Sequence, residues 1–369
     1  MNVENIRLIN FRNYHSINVN FNQNINIFIG KNAQGKTNLL EAIYMCSNGK
    51  SFRTNRDKEI INFEKKVAYI GVNVKTDRFE KFIELKLDKE NSKIIRINKN
   101  TIENYKELET GLSVVIFSPD DLKLVKEGPH ERRNFMDLSI SQIKPVYSYN
   151  ISRYNRLLYQ RNKILKSNKM KKELYNLLEA FDLQIAKIGT SIIYERNAYL
   201  NDFFYICKNT HHNLTSYKEN MELRYNTNVP ILDNKIEMEK VYFKLLKDNF
   251  NKDIEYGTTE IGPHRDDIFI FINSRDVRIF GSQGQQRTAV LTLKLSEVEL
   301  IKKENGNYPI VLLDDVFSEL DEERRNYLTN SFAKMQTFIT VTDAVDIKSL
   351  DNFNKSIFYI ENGRLEIRS

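Results

Sequence analysis

The chain has 369 residues, of which 41% are hydrophobic and 28% are charged, and this balance supports a buried core and excludes a disordered chain. The amino-terminal residues lack the apolar stretch of a secretory signal, and no uninterrupted apolar run reaches the roughly 18 residues of a membrane span. The net charge is +7, and the two cysteines, Cys46 and Cys207, are too few for a zinc cluster. We therefore expect a cytoplasmic protein with reduced cysteines and no membrane association, built from two domains or from one domain with a large insertion.

The first third of the chain has the pattern of a β-rich domain. Short β-branched or aromatic runs, which often alternate apolar with polar residues, predict strands at 3–9, 25–29, 67–75, 79–87 and 114–117. Asn98, Lys99 and Asn100 predict a hairpin turn between two such runs. One strong helix is expected from Lys36 to about Cys46.

A glycine-rich loop lies between the strand that ends at Ile29 and this helix. It consists of Gly30, Lys31, Asn32, Ala33, Gln34, Gly35, Lys36 and Thr37. This order fits the G-x-x-x-x-G-K-T pattern, in which the two glycines let backbone N–H groups face a phosphate at a helix N-terminus. Lys36 is expected to reach the β- and γ-phosphates, and Thr37 to offer its hydroxyl to Mg²⁺. The loop predicts a nucleotide site.

The middle third has a helical pattern. From about residue 146 to 204 there is no proline and only one glycine, Gly189. Apolar residues recur every three or four positions, as in a helix with one narrow packing seam, at Leu174, Leu178, Phe181, Ile185, Ile188 and Ile192. An earlier helix is expected around 153–166, before a break at Ser167 and Asn168, so the segment predicts an αα-hairpin.

The positive charge is concentrated in this helical segment. Nine basic residues and no acidic residue lie between Lys144 and Lys172. A local positive field favours a polyanionic partner, and interleaved tyrosines at 147, 149, 154 and 159 are suited to packing on sugars or bases. The predicted DNA contacts are Arg153, Arg156, Arg161 and Lys163. A protein partner, or merely the solvated faces of two helices, remains an alternative.

The last third returns to an α/β pattern. Gly262 and Pro263 mark the return, a helix is expected from about Gln285 to Lys302, and strands are expected at 310–313 and 338–341. We therefore predict an α/β head that is split by a helical arm. The predicted segments are 1–125 for the first part of the head, 126–255 for the arm and 256–369 for the second part of the head.

The strand at 310–313 ends in two carboxylates, Asp314 and Asp315. A nucleotide loop needs an acid to hold its metal, and a buried strand places the first carboxylate near Mg²⁺ and the second near the attacking water. We therefore assign Asp314 to the metal and, with Lys36, Asp315 to catalysis. Because Asp315 is one methylene shorter than Glu, slow turnover is expected.

A second candidate anion site precedes the helix that begins near Gln285. Gly281, Ser282, Gln283 and Gly284 are small or polar, and a helix N-terminus behind them favours an anion. A second anion site in addition to the nucleotide loop indicates a composite pocket, to which Ser282, Gly284 and Gln285 are assigned. We call the residues from Gly281 to Gln285 the signature. The chain contains, in order, the glycine-rich loop, the signature, the Asp-Asp strand and Ser318-Glu319-Leu320-Asp321. This order resembles that of the ABC-type ATPases.

Within that class the chain resembles the RecF family of DNA replication and repair ATPases, which are related to the SMC proteins. The matching motifs are residues 10–14 (NFRNY), 38–43 (NLLEAI), 49–53 (GKSFR), 117–122 (FSPDDL), 132–133 (RR), 262–267 (GPHRDD), 281–287 (GSQGQQR) and 312–315 (LLDD). They span nearly the whole chain and are least distinctive from about 148 to 252. The resemblance implies a P-loop ABC-type ATPase head with an inserted helical arm.

The resemblance also implies a function. Members of the family bind ATP and Mg²⁺, dimerise with ATP bound and hydrolyse it slowly with stimulation by DNA. They bind gapped, single-stranded or junction DNA and, with RecO and RecR, help load the recombinase and support the SOS response. In such a homodimer, Ser282, Gly284 and Gln285 of one protomer face the γ-phosphate held by the glycine-rich loop of the other.

Two positions depart from the ABC pattern. The signature begins with Gly281 where transporters usually have Leu, and no histidine follows the strand at 338–341, where Thr340 and Thr342 stand instead. The residue that senses the γ-phosphate on that side and the Q-loop glutamine are therefore left unassigned.

Several residues carry weaker expectations. Arg12 is suited to touching a phosphate or an adenine, with a surface arginine as the alternative, and the residues Gly262 to Arg265 suggest a hinge, a pocket edge or an ordinary turn. His211 and His212 lack partners at metal-ligand spacing, so we expect exposed loop residues. Cys46 is expected in the core.

Two other functions compete with DNA repair. The ATPase subunit of an ABC transporter would leave the arm unexplained. A short SMC-like protein that tethers DNA would need a much longer coiled coil than an arm of this length provides.

Overall fold

The computed structural model of the chain describes residues 1–76, 79–102, 112–167, 170–317, 320–332, 334–343, 350 and 353–367. Asn168 of the predicted helix break, Lys169 of the basic segment, and Ser318 and Glu319 of the predicted motif lie outside these residues. The backbone contacts divide the chain into two compact units. One is Met1–Asp121 with Glu297–Ser369, and the other is Leu122–Ser296.

The strands of the described residues confirm each predicted strand, with shifts of a residue or two at the ends. They are β1 (Asn2–Phe11), β2 (Tyr14–Asn20), β3 (Ile25–Ile29), β4 (Val67–Lys75), β5 (Glu80–Asp88), β6 (Ile94–Ile97), β7 (Asn100–Thr101), β8 (Val114–Phe117), β9 (Met221–Asn226), β10 (Asp267–Ile272), β11 (Arg275–Asp276), β12 (Ile310–Asp314), β13 (Thr337–Val341), β14 (Lys355–Glu361) and β15 (Arg364–Ile367). The predicted hairpin turn is also confirmed, because Asn98 and Lys99 both have positive φ between β6 and β7.

The helices confirm the predicted ones and add several others. Those of the described residues are α1 (Lys36–Asn48), α2 (Lys123–Lys126), α3 (Pro129–Ile143), α4 (Pro145–Leu165), α5 (Lys171–Leu214), α6 (Lys235–Asp248), α7 (Phe250–Tyr256), α8 (Val277–Phe280), α9 (Gln283–Asn305) and α10 (Glu322–Phe332). Among these described helices, none combines the length and apolar character needed to cross a bilayer.

The first unit places α1 against two sheets. One sheet has the strand order β15-β14-β3-β13-β12-β8 and is parallel except for β15, and the other is antiparallel with the order β2-β1-β4-β5-β6-β7. Every residue of β3, β12 and β13 is buried, as expected for parallel strands covered on both faces. Leu39, Leu40 and Ile43 of α1 join one apolar cluster with residues of both sheets.

The parallel sheet brings distant residues of the sequence to one edge. Strands β3, β12 and β13 run in the same direction, so the glycine-rich loop after Ile29, the carboxylates at Asp314 and Asp315, and the residues after Val341 follow neighbouring carboxyl ends. Ligands of open α/β sheets bind at this edge. The fold therefore gathers there the residues that the sequence assigned to nucleotide and metal.

The second unit contains the predicted αα-hairpin. Helices α4 and α5 pack against each other, and the seam residues Leu174, Leu178, Ile185 and Ile192 are buried. Helix α5 has 44 residues and extends well beyond the seam. The αα-hairpin prediction is confirmed.

The second unit ends later than the predicted arm boundary at residue 255. Strand β10 pairs along its whole length with β9, and α3 packs on β10, so the residues after 255 keep their contacts with the arm. The division falls within α9, between Ser296 and Glu297. The signature Ser282–Gln285 thus belongs to the same compact unit as the arm helices.

The expectation for His211 and His212 is wrong. Both lie in the last turn of α5, and His211 is fully buried. It falls one helical repeat after the buried Cys207 and two after the buried Phe203, so it lies on the packed face of α5. The predicted seam ended at Ile192 and did not show that the helix continues this far. In contrast, Cys46 lies in the core as predicted, and both cysteines are buried and free.

Candidate nucleotide, signature and DNA-contact sites

The glycine-rich loop has the backbone that its two glycines predict. Gly35 has φ of 119°, and a Cβ there would lie 2.7 Å from Asn13 Nδ2. A Cβ on Gly30 would lie 2.4 Å from the carbonyl oxygen of Ile360. Both positions therefore exclude any larger residue, one through conformation and the other through close approach. Lys31, Asn32 and Ala33, at the tip of the loop, are exposed.

Side chains from outside the loop hold its carbonyl groups. The Tyr14 hydroxyl donates to Gly35 O at 2.9 Å, and Asn13 Nδ2 donates to Gln34 O at 2.8 Å. The backbone N–H of Gly363 also donates to Gln34 O, at 3.1 Å. These hydrogen bonds fix the orientation of the loop carbonyl groups. The loop is therefore already curved at the N-terminus of α1.

The Lys36 ammonium lies across the mouth of the loop. Its Nζ donates to Gly30 O at 2.7 Å and to Lys31 O at 3.3 Å, and the side chain is almost fully buried. The loop carbonyls thus compensate a buried cation within reach of the site. Anionic phosphate oxygens would be stronger partners for the same ammonium, so the geometry fits a triphosphate.

Thr37 and Asp314, which the sequence assigned to the metal, are hydrogen-bonded to each other in the structure. Thr37 Oγ1 donates to Asp314 Oδ1 at 2.8 Å, although the two residues are 277 positions apart. Both offer hard oxygen atoms, which Mg²⁺ prefers together with water and phosphate oxygens. Burial raises the pKa of Asp314, and the hydrogen bonds from Thr37 and Thr340 partly oppose that rise. The residues present therefore fit a Mg²⁺ ion.

Thr340 of β13 lies next to Asp314 and Asp315 and forms a hydrogen bond with each. Its Oγ1 lies 2.9 Å from Asp314 Oδ1 and accepts a hydrogen bond from the backbone N–H of Asp315 at 2.9 Å. Asp315 itself has a φ of 52°, which is uncommon for a non-glycine residue and marks a constrained position. Thr340 is completely buried, so it supports the carboxylates, whereas Thr342 after β13 is exposed.

Arg12 forms an ion pair that the sequence did not suggest. Its Nε and Nη2 donate to the two carboxylate oxygens of Glu41 at 2.9 and 2.7 Å, and Glu41 on α1 is fully buried. Ser51 and Arg53 contact the same carboxylate. The only signal in the sequence was an acid among the apolar residues of α1.

A cleft of about 490 Å³ lies beside this ion pair in the first unit. Its lining includes Arg12, Asn13, Asn38, Arg53 and the exposed Phe63. Asn38 is in the first turn of α1, and its amide contacts both Asn13 and Arg53. The cleft is therefore adjacent to the helix that carries Lys36 and Thr37.

The signature residues Ser282 and Gln285 form a capping box at the start of α9. The backbone N–H of Ser282 donates to Gln285 Oε1 at 3.0 Å, and the N–H of Gln285 donates to Ser282 Oγ at 3.2 Å. Ser282 and Gly284 are exposed, and Gln285 is half-buried, with its Nε2 donating to Glu219 at 2.8 Å. The structure therefore presents Ser282 and Gly284 at an open helix N-terminus.

The basic segment has two different faces. Arg153, Arg156 and Lys163 are exposed on α4, together with Tyr149 and Tyr159. Positions 149, 153, 156 and 163 follow helical spacing and lie on one side of the helix. Arg153, Arg156 and Lys163 form an exposed row that is available to a partner, and we call these three residues the α4 basic row.

Arg161 does not belong to this row, and its assignment as a DNA contact is wrong. It is fully buried, with Nε 2.6 Å from Asp182 Oδ1 and Nη1 2.7 Å from Asp253 Oδ2. Two carboxylates compensate its charge inside the unit, so no phosphate can reach it. Tyr147 and Tyr154 of the same segment are also buried and therefore unable to stack on bases.

The residues Gly262 to Arg265 form a tightly packed turn within the second unit. Gly262 has φ of 132°, and a Cβ there would overlap the hydroxyls of Tyr242 and Tyr154. His264 bridges Tyr154 and the carbonyl oxygen of Thr259, and burial lowers its pKa to about 4. A neutral, packed histidine supports the turn as a structural element of the arm.

Known proteins resemble this chain over nearly its whole length. A family model described as RecF/RecN/SMC N terminal domain matches residues 2–365. The DNA replication and repair protein RecF of Alkaliphilus oremlandii (strain OhILAs) is 48% identical over 369 residues, which cover 99% of this chain and 100% of that protein. RecF of Clostridium novyi (strain NT) is 45% identical over 363 residues, which cover 98% and 99% of the two chains. A solved structure of the recombination mediator protein RecF with ATP, from the RecFOR pathway, is similar with a TM-score of 0.91 at 35% identity, covering 100% of this chain and 99% of that one.

Proposed function

The chain belongs to the RecF family of DNA replication and repair proteins, and from that premise we propose that it is an ATP-dependent DNA-binding protein of recombinational repair. The observation that carries the proposal is that Thr37 donates to Asp314 at one edge of the parallel sheet, next to Lys36, whose ammonium lies on the carbonyl of Gly30 in the loop. That arrangement fits a triphosphate and a metal ion, and a relative of similar fold, matched over 99% of its chain, has been solved with ATP. The transporter subunit and the SMC-like tether lose their support, since relatives that are RecF proteins match the arm as well as the head.

ATP is held by the glycine-rich loop in this proposal. Backbone N–H groups of the loop and Lys36 bind the phosphates, and the cleft lined by Arg12, Asn38 and Phe63 receives the nucleoside. Thr37 and Asp314 hold Mg²⁺, which neutralises phosphate charge when bound.

Hydrolysis depends on Asp315, which orients the attacking water and takes up its proton. Thr340 holds the backbone of Asp315 from below, so the carboxylate has a defined direction. The short side chain of Asp315 keeps the carboxylate farther from a water than Glu would, and turnover is slow. The proposed enzyme is a slow ATPase that DNA stimulates.

ATP also drives dimerisation in this proposal. Ser282 and Gly284 are exposed at the start of α9, where the N–H groups of a helix N-terminus favour an anion. We assign Ser282, Gly284 and Gln285 of one protomer to the γ-phosphate bound by the other. The dimer then has two composite sites and exists only with ATP between the protomers.

DNA is the macromolecular partner in this proposal. The exposed Arg153, Arg156 and Lys163 of the α4 basic row contact phosphates of gapped, single-stranded or junction DNA, and Tyr149 and Tyr159 stand beside them. The family relationship and the RecFOR pathway of the solved relative support RecO and RecR as protein partners in loading the recombinase during the SOS response. The cytoplasm is the compartment that this role requires.

DNA binding with and without nucleotide tests the proposal. We expect the protein with ATP and Mg²⁺ to bind gapped DNA and single-stranded DNA more tightly than fully duplex DNA, and to lose this preference without ATP. Fluorescence anisotropy with three labelled DNAs of equal length measures the affinities. Equal binding to all three DNAs, unchanged by ATP, would contradict the proposed function.

A further inference from the structure

Gln285 of the signature is linked to a buried histidine of the long arm helix through Glu219. Glu219 lies in the turn between α5 and β9 and is 22% exposed, whereas His211 at the end of α5 is fully buried. The metal and phosphate site described above uses neither residue. Their contacts lead step by step to the signature.

The first step is the contact between Gln285 and Glu219. Gln285 Nε2 donates to Glu219 Oε1 at 2.8 Å, while Gln285 Oε1 accepts from the N–H of Ser282 at 3.0 Å. A carboxylate only accepts hydrogen bonds, so it selects the NH₂ side of the amide. With the amide reversed, its oxygen would face a carboxylate and its NH₂ would face an N–H. Glu219 therefore fixes the orientation of the Gln285 amide and, through it, of Ser282.

The second step holds Glu219 itself. Its Oε2 lies 3.3 Å from His211 Nε2, and His211 Nδ1 lies 2.9 Å from Thr292 Oγ1. The Thr292 hydroxyl donates to Thr288 O at 2.8 Å, so it accepts from His211 Nδ1–H. The imidazole is thus oriented with Nε2 toward the Glu219 carboxylate, with which it forms an ion pair when the ring carries a second proton.

The third step is the turn that carries Glu219. Ser216 and Tyr217 have φ of 50° and 61°, an uncommon conformation for two successive residues other than glycine. The turn is held by Tyr217 N–H on His212 O at 2.8 Å and by Thr215 Oγ1 on His211 O at 2.8 Å. Strain of this kind persists where the surroundings over-determine the backbone. Here it brings Glu219 back between His211 and Gln285.

We propose that Glu219 is a positioning residue for the signature. It acts through Gln285, keeping the Ser282–Gln285 loop in the single conformation that receives the partner's nucleotide, and His211 anchors it to the end of α5. The inference rests on the proposed function, because it requires that the signature completes the site of a second copy of the chain.

The test compares Glu219→Ala and Glu219→Gln with Glu222→Ala. Glu222 is an exposed acid of β9 that pairs with Arg224. Its variant removes a carboxylate of the same kind from the same region, and it does not change a contact of the signature. Analytical ultracentrifugation of the full chain with ATP and Mg²⁺ gives the dimer dissociation constant. Fluorescent-ATP titration of the dilute monomer gives the affinity of the single site, and thermal unfolding reports the fold.

We expect Glu219→Ala to weaken the ATP-dependent dimer about tenfold or more, since each of the two composite sites loses a hydrogen bond to a charged group. ATP affinity of the monomer and thermal unfolding should match those of Glu222→Ala. Glu219→Gln should lie between wild type and Glu219→Ala, because its carbonyl oxygen can still accept from Gln285. This near-isosteric variant keeps the test valid if Glu219→Ala folds poorly.

Two results would overturn the inference. One is dimerisation of both Glu219 variants within about twofold of wild type. The other is that Glu219→Gln weakens the dimer as much as Glu219→Ala does, and that the affinity of the monomer for ATP falls by an equal factor. Ser282→Arg, measured alongside, separates this inference from the proposed function. If Ser282→Arg also dimerises normally, the composite site itself is wrong; if it is monomeric while the Glu219 variants dimerise as wild type, only the role of Glu219 is wrong.

Discussion

At the scale of single residues, the nucleotide site is already arranged before any ligand is considered. Lys36 rests on loop carbonyls, Thr37 on Asp314, and Thr340 on both Asp314 and the backbone of Asp315. Each functional group therefore has a fixed position that costs little reorganisation when a phosphate or a metal replaces the protein partner. The consequences can be tested one side chain at a time.

Replacing Lys36 should abolish the ATP-driven dimer. Lys36→Met removes the charge that binds the β- and γ-phosphates, and we expect ATP affinity to fall about ten- to a hundredfold and the dimer to be lost. Sedimentation with ATP and Mg²⁺ measures the dimer, with the exposed Lys65→Met as the matched control. A Lys36→Met dimer as tight as that of the control would contradict the role of Lys36.

The metal dependence of ATP binding should be sensitive to acid through Asp314. Burial raises the pKa of this carboxyl, so on acidification it takes up a proton at a higher pH than an ordinary aspartate, and the protonated form does not bind Mg²⁺. Thr340→Val removes a hydrogen bond that favours the ionised form. We expect it to move the loss of Mg²⁺ dependence upward by about half to one pH unit.

Fluorescent-ATP titrations at increasing Mg²⁺ across a pH series measure this shift. Thr340→Ser keeps the hydroxyl and is expected to follow wild type, whereas Asp314→Asn should show weak Mg²⁺ dependence at every pH. If Thr340→Val and Thr340→Ser lose the metal dependence at the same pH, the Thr340 hydroxyl does not tune Asp314.

At the scale of elements, helix α4 carries basic residues in two different environments, one buried and one exposed. Arg161 points into the unit, where Asp182 and Asp253 neutralise it. The α4 basic row points to solvent, and no acidic residue occurs anywhere in the helix. The same residue type is therefore part of the core at one position and available to a partner a turn or two away.

Neutralising the α4 basic row should weaken DNA binding without affecting ATP. Changing Arg153, Arg156 and Lys163 to Gln removes phosphate contacts, and each lost contact on duplex DNA lowers the slope of log affinity against log salt by about 0.9. Affinities measured at several salt concentrations give the slope. The matched control changes Lys240, Lys244 and Lys252, which are exposed cations of the same unit, to Gln. A slope that falls equally in both triple variants would show a general effect of net charge and no specific contact.

At the scale of the whole molecule, the two halves of the proposed composite site lie in different compact units of the chain. The glycine-rich loop belongs to the first unit and the signature to the second. In a dimer each site takes one half from each protomer, which predicts a specific pattern of complementation.

Mixing two inactive variants should restore one active site. A heterodimer of Lys36→Ala and Ser282→Arg has one site with both defects and one site with neither, because the intact loop of the second variant meets the intact signature of the first. We expect each variant alone to lose dimerisation and ATP hydrolysis, and the mixture to recover about a quarter of wild-type hydrolysis per chain when half of the chains are in heterodimers, since one of the two sites in each heterodimer is intact. Phosphate release and sedimentation of the mixture measure the recovery. A mixture no more active than its components would mean that the signature does not serve the partner's nucleotide.

Local patterns in the sequence determined the parts of this protein that depend on near neighbours. The sequence predicted the glycine-rich loop, the strand ending in Asp314 and the αα-hairpin. Turn geometry, strand alternation and helical periodicity depend on residues that are close together in the sequence, so these elements can be predicted from it. Which polar and charged side chains the fold buries was decided only by contacts between distant residues. Arg161 meets Asp253 across 92 positions, and His211 meets Thr292 across 81. A basic residue and a histidine are exposed by default, since burial costs them their hydration, and only the tertiary structure supplies the carboxylates and hydroxyls that compensate that cost.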